Sequence, residues 1–201
     1  MKRILLALVV TTAAACGGGS KKPVEPTPPP PPVEAAPEPA PAPEPPAPPA
    51  PKEATATLTA TPKSKSKVTG TITFKEVEGG VEVTANVEGL KAGDHGWHVH
   101  ETGDCSAPDA SSAGGHFNPG GHKHGGPEAE MRHEGDFGNL TAGKDGKATQ
   151  TFTMKGISLG DGNTSIAGKG FIVHAKKDDL KTDPSGNSGD RIACGVITVA
   201  P

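Results

Sequence analysis

The sequence predicts an all-β domain, a sandwich or barrel of short strands. Three observations carry this reading. Short runs that alternate small or polar with β-branched residues recur from about residue 54 onward, Gly-rich turns separate them, and no stretch keeps a helical period. The first run is Thr55-Ala56-Thr57-Leu58-Thr59, and the second covers residues 68–74. Gly79-Gly80 supplies a turn into a third run at 81–87, and Gly93-Asp94 leads into a fourth at 95–101. Later candidates lie at 138–141, 147–153, 170–174 and 192–199. Aromatic residues are only 3% of the chain and Tyr is absent, so Val, Ile, Leu and Ala are expected to fill the interior. Residues 54–201 suffice to bury a sizeable core. Residues 103–131 and 176–190 do not read as strands, and long loops in a compact domain tend to carry function.

The domain is preceded by two segments of different character. Met1-Lys2-Arg3 is basic, residues 4–10 are apolar, and Ala13-Ala14-Ala15 leads to Cys16. The apolar run is too short to span a bilayer as a helix and reads as a secretory signal, residues 1–16. A cysteine directly after small residues resembles a bacterial lipobox, in which Cys16 is lipidated; an ordinary cleavable signal is the alternative. Residues 17–53 are Gly-Ser, then Pro, Ala and Glu, with almost no large apolar side chain. Such a segment cannot offset its conformational entropy by burial, and its prolines favour polyproline II. Fully extended, about 30 residues at about 3.1 Å each would reach about 90–100 Å from a membrane. If Cys16 carries lipid, Cys105 and Cys194 remain as a pair, which in an exported domain implies one disulfide. The formal charge of −3, with no basic block, excludes a nucleic-acid partner.

Chemistry concentrates in the histidines. In Trp97-His98-Val99-His100-Glu101 the two imidazoles sit at i and i+2 of an extended segment and share one side, with Val99 on the other. Downstream come His116, His124, His133 and Asp136, then His174. Converging imidazoles suit copper or zinc, and a carboxylate adds a harder oxygen ligand, so the chain offers ligands for more than one metal.

Six stretches in order are similar to one known family: GWHVHETGDC (96–105), GGHFNP (114–119), KHGGP (123–127), RHEGDFGN (132–139), VHAKKDDL (173–180) and GNSGDRIACGVI (186–197). They resemble the copper/zinc superoxide dismutases across essentially all of residues 54–201, a family that is itself a standing example of the β-sandwich architecture. The resemblance implies an eight-stranded antiparallel Greek-key barrel with two long functional loops. It implies copper on His98, His100, His116 and His174, and zinc on His116, His124, His133 and Asp136, with His116 as the bridge. Asp178 would hydrogen-bond one histidine of each metal, Arg191 would attract and orient superoxide, and Cys105 would be bonded to Cys194. The implied reaction converts superoxide to oxygen and hydrogen peroxide on the copper, with His116 handling a proton. Gly114, Gly115, Gly125 and Gly126 would let the long loop bend tightly around the metals.

Simpler readings stand beside these. His95 and His122 match no ligand position and read as surface residues. Arg191 could pair with Asp190 or Asp178, and Asp178 and Asp179 could cap a turn. The loop after Leu180 is short and lacks the family's charged cluster, so Lys123, Lys176, Lys177 or Lys181 would have to take over the steering of superoxide. Gly103, Gly168, Val196 and Val199 resemble a dimer surface, which makes a homodimer possible. A tethered copper/zinc-binding or metal-delivery lipoprotein without turnover is the rival function. With Gly17 after Cys16, the expected place is the bacterial cell envelope, on the periplasmic or surface side, with the outer membrane favoured.

Overall fold

A computed structural model describes residues 52–201. The signal, Cys16 and nearly all of the tether lie outside the described residues. Eight strands form: β1 Glu53–Ala60, β2 Thr69–Val77, β3 Gly80–Glu88, β4 Gly93–His100, β5 Asp136–Ala142, β6 Ala148–Met154, β7 Gly170–His174 and β8 Arg191–Val199. Each answers to one run expected from alternation, and β1 starts one residue inside the expected tether. All pairings are antiparallel, in the order β5-β4-β7-β8-β1-β2-β3-β6. The two edge strands, β5 and β6, pack against each other, so the sheet curls into a nearly closed barrel. Among the described residues the only helices are short 3₁₀ turns at Pro62–Ser64 and Ser111–Ala113.

The period-two pattern is carried into burial. Ala54, Ala56 and Leu58 on β1 and Val81, Val83, Ala85 and Val87 on β3 point inward, while their neighbours point to solvent. The aliphatic interior expected from composition needs one correction. Five of the six aromatics, Phe74, Trp97, Phe137, Phe152 and Phe171, meet in the barrel centre at ring separations of 5.4–6.0 Å. Edge-to-face contacts dominate, which suits the ring quadrupoles. Buried Trp97 also donates its indole N–H to the Phe137 carbonyl at 3.0 Å.

β4 departs from half-burial, because residues 95–100 are buried on both faces. Trp97 and Val99 enter the core, whereas His98 and His100 face outward and are covered by the two long loops. Backbone bonds hold the first loop there: Val99 N–H donates to Gly135 O at 3.0 Å and Phe117 N–H to Val99 O at 2.8 Å. The Cys105–Cys194 disulfide ties the same loop to β8 across 89 residues of sequence. Closing a loop of that length in the unfolded chain is worth about 4–5 kcal/mol in the chain-entropy account.

The barrel centre gives a first prediction. Trp97→Ala removes the ring that three phenylalanines share and should lower stability by about 3–5 kcal/mol, read from the urea midpoint by circular dichroism. A loss below about 1 kcal/mol would contradict a core organised on that ring.

Candidate metal centre

Two β-bulges aim the site. The β4–β5 register shifts between Gly96 and His98 and sets His98 opposite Asp136, and the β7–β8 register shifts between Val173 and His174 and sets His174 opposite Arg191. A further bridge brings His116 of the long loop beside His100. The resulting side chains form two adjoining groups. His98, His100, His116 and His174 present ligand atoms within 4.8 Å of one another, and so do His116, His124, His133 and Asp136. His116 belongs to both, and all seven residues are buried.

Each imidazole is fixed through one nitrogen and leaves the other toward the group's centre. His98 Nε2 bonds Asp178 Oδ2 at 2.7 Å, His100 Nδ1 the Gly114 carbonyl at 3.0 Å, and His174 Nδ1 the Gly189 carbonyl at 3.0 Å. Their opposite nitrogens, His98 Nδ1, His100 Nε2 and His174 Nε2, together with His116 Nε2, are buried and have no hydrogen-bond partner in the protein. Four desolvated nitrogen lone pairs converging without donors is the arrangement a metal ion satisfies. Burial also lowers the pKa of these rings, to about 4 for His98 and well below the usual value for His100 and His174. They are therefore neutral and able to ligate at physiological pH.

The second group is built on one oxygen. His116 Nδ1, His124 Nδ1 and His133 Nδ1 lie 2.8, 3.0 and 3.2 Å from Asp136 Oδ1. A tetrahedral zinc with bonds of about 2.0 Å has ligand atoms about 3.3 Å apart, so the donor set and its spacing fit that ion. Asp136 Oδ2 accepts the Gly125 and His133 backbone N–H groups at 3.0 and 3.1 Å, which fixes the carboxylate plane. Burial raises the Asp136 pKa, but bonds from the three histidines outweigh it and hold the group well below the carboxylate range.

Asp178 stands between the groups. Its Oδ2 takes His98, its Oδ1 takes His124 Nε2 at 2.9 Å, and its backbone is clamped by the Asn139 side-chain amide. For His124, burial opposes a charge, yet the two carboxylates Asp136 and Asp178 raise its pKa to about 10. In the metal-free protein His124 thus carries the proton that a metal at Nδ1 must displace. That charge contributes stability below the unfolded histidine pKa and loses it as pH rises through about 10.

Arg191 is half-buried and holds two carbonyls, those of Ala110 and Gly114, each at 2.6 Å. The pairing with Asp190 or Asp178 considered from sequence does not form. Because Gly114 O also accepts from His100, one carbonyl registers Arg191 against the first histidine group. Asp179, in contrast, does cap a turn, accepting the N–H of Lys181 and Thr182.

Two expectations need correcting. His95 is not a surface residue: it is 2% exposed, with Nδ1 on the His174 carbonyl at 2.8 Å and Nε2 on the Lys91 carbonyl at 2.9 Å. It braces the backbone of His174 from behind, at a position paired with the core residue Leu140 rather than under the loops. His122 is exposed, as expected. Of the four loop glycines only Gly114 adopts a left-handed φ, 76°. A glycine that sequence reasoning passed over matters more. Gly186 has φ 59°, and a Cβ there would fall on Asp178 Oδ1 and His124 Nε2.

Fold and site together define a β-barrel metalloprotein with two adjoining histidine centres, and comparison with known proteins agrees. Residues 68–197 match the family described as copper/zinc superoxide dismutase. The chain is also 44% identical over 141 residues to the Cu-Zn superoxide dismutase of Deinococcus radiodurans, covering 65% of this chain and 77% of that one. The chain belongs to the copper/zinc superoxide dismutase family, enzymes whose metals are copper and zinc.

The site generates two predictions. Zinc titrated into the metal-free protein at pH 7.5 should release about one proton, seen as a buffer-dependent calorimetric enthalpy, and affinity should rise with pH; no release would contradict a protonated His124. Asp178→Asn leaves only one oxygen for two histidines and should weaken metal retention about 10–100-fold in chelator competition.

Proposed function

We propose that the chain is a superoxide dismutase in which His98, His100, His116 and His174 hold copper, while His116, His124, His133 and Asp136 hold zinc. The observation that carries this reading is the set of buried, partnerless nitrogens, His98 Nδ1, His100 Nε2, His116 Nε2 and His174 Nε2, beside an arginine. Copper, when bound, supplies one-electron redox chemistry between two oxidation states, and zinc holds the second group in shape.

The chain's own residues do the rest. Arg191 offers a guanidinium already fixed by two carbonyls, so an incoming superoxide is bound and oriented without reordering the side chain. His116 is the one imidazole common to both groups. Its Nε2 holds a proton in one half of the cycle and yields it to the departing product in the other, and a second proton comes from solvent. Asp178 keeps His98 and His124 in one relative orientation through this change, and His95 keeps the His174 backbone in place.

A metal-binding lipoprotein without turnover is disfavoured, since a pure buffer has no use for a guanidinium fixed beside the first group. The reading extends to place. Lipidation at Cys16 would anchor the domain in the bacterial envelope, and half-exposed Val196 beside Gly103 and Gly168 offers a surface for a homodimer.

The test is superoxide consumption by the full chain loaded with one copper and one zinc. Fast turnover is expected, and Arg191→Ala should lower it about 10–100-fold, the loss of one charge-assisted contact, with both metals retained. Stoichiometric metal binding without turnover would overturn the proposal.

A further inference from the structure

Residues 181–185, Lys-Thr-Asp-Pro-Ser, fall between the last two stretches that carry the family resemblance. They nevertheless belong to a closely bonded turn. Asp179 accepts the N–H groups of Lys181 and Thr182 at 3.0 and 2.8 Å, the Thr182 hydroxyl at 2.7 Å and the Asn187 amide at 2.8 Å. The Gly186 N–H donates to the Thr182 carbonyl at 2.7 Å, and the Asp179 N–H donates to the Gly186 carbonyl at 2.8 Å. This turn presents the carboxylate of exposed Asp183, whose Oδ1 accepts the backbone N–H of buried His124. Among the described residues, no other hydrogen bond joins residues 179–187 to the first long loop.

His124 needs such a hold more than its partners do. Asp136 opens β5, His116 is bridged to His100 of β4, and the His133 N–H donates to Asp136. His124 belongs to no strand or bridge, and Gly125-Gly126 follow it. The Gly125 N–H donates to Asp136, itself a member of the second group, so Asp183 supplies the hold from outside that group. Resting on the assignment of zinc to the second group made above, we propose that Asp183 is a positioning residue for His124. One loop grips this histidine twice, Asp178 at ring Nε2 and Asp183 at the backbone. A ring held at Nε2 alone swings its Nδ1 whenever the loop backbone shifts. Held at both points, Nδ1 keeps its place 3.0 Å from Asp136 Oδ1, where zinc requires it. The bond is charge-assisted, and partners that orient a metal ligand commonly govern affinity about 10–100-fold. His124 is absent from the first group, so the effect of Asp183 falls on zinc and spares copper.

The test uses the full chain loaded with one copper and one zinc and follows the loss of each metal to excess EDTA by elemental analysis. Asp183→Ala should release zinc about 10-fold faster than the parent, with the initial rate of copper release unchanged. Asp183→Asn keeps an oxygen acceptor for the His124 N–H and should recover most of the zinc retention. Zinc release at the parent rate in Asp183→Ala would overturn the inference. So would equal acceleration of both metals, which would make the bond only a general pin for the loops. Zinc loss from Asp183→Asn as fast as from Asp183→Ala would overturn it too, because charge and not the backbone bond would then be at work. The readout involves no superoxide, so a parent that holds both metals without turnover ends the dismutase reading and leaves this inference standing. A parent that takes up no zinc ends the assignment of the second group, and this inference with it.

Discussion

Asp178 gives one carboxylate oxygen to His98 and the other to His124, and most of the site's geometry follows from that fork. The two histidines come from different places, β4 and the long loop after it, and only a buried, fully engaged carboxylate sets both rings at once. The fork needs clearance, supplied by Gly186, where any side chain would collide with Asp178 and His124. It needs a fixed backbone, supplied by Asn139, which pairs with both the N–H and the carbonyl of Asp178. β5 and the last loop are thereby tied to the same point.

The arrangement is costly without metal. Four buried ring nitrogens of the first group have no partner in the protein, and an unsatisfied buried polar group costs about 1–3 kcal/mol. The barrel and the disulfide hold these groups together, and the metals turn a half-satisfied polar network into a satisfied one. Folding and metal binding are linked in this way, and the burial that lowers the pKa of His98, His100 and His174 also keeps them ready as neutral ligands. Arg191 shares the Gly114 carbonyl with His100, so the loop that shapes the first group also sets the anion contact.

Much of this was legible in the chain. Strand positions followed from alternation, since in β1 and β3 one face is core and the other solvent, and a period of two reports that directly. The two loops followed from the lack of any period. The residues that the fold brings into the two groups were legible as a constellation in order, although no single one of them would have been. The misreadings share a cause, which is contact between parts distant in sequence. His95 looked like a surface residue because the His174 carbonyl that its ring meets lies 79 residues away in sequence. The few aromatics looked negligible because composition does not show that five of them meet. Gly186 acquires meaning only from neighbours such as His124, more than 40 residues away in sequence.

The central claim is that two metals share His116 within one preformed pair of sites. Anomalous diffraction at the copper and zinc edges, from crystals of the chain loaded with one equivalent of each, tests it most directly. The account predicts two peaks, copper in contact with His98 Nδ1, His100 Nε2, His116 Nε2 and His174 Nε2, and zinc in contact with Asp136 and the Nδ1 atoms of His116, His124 and His133. A single peak, or two peaks that do not share His116, would contradict it.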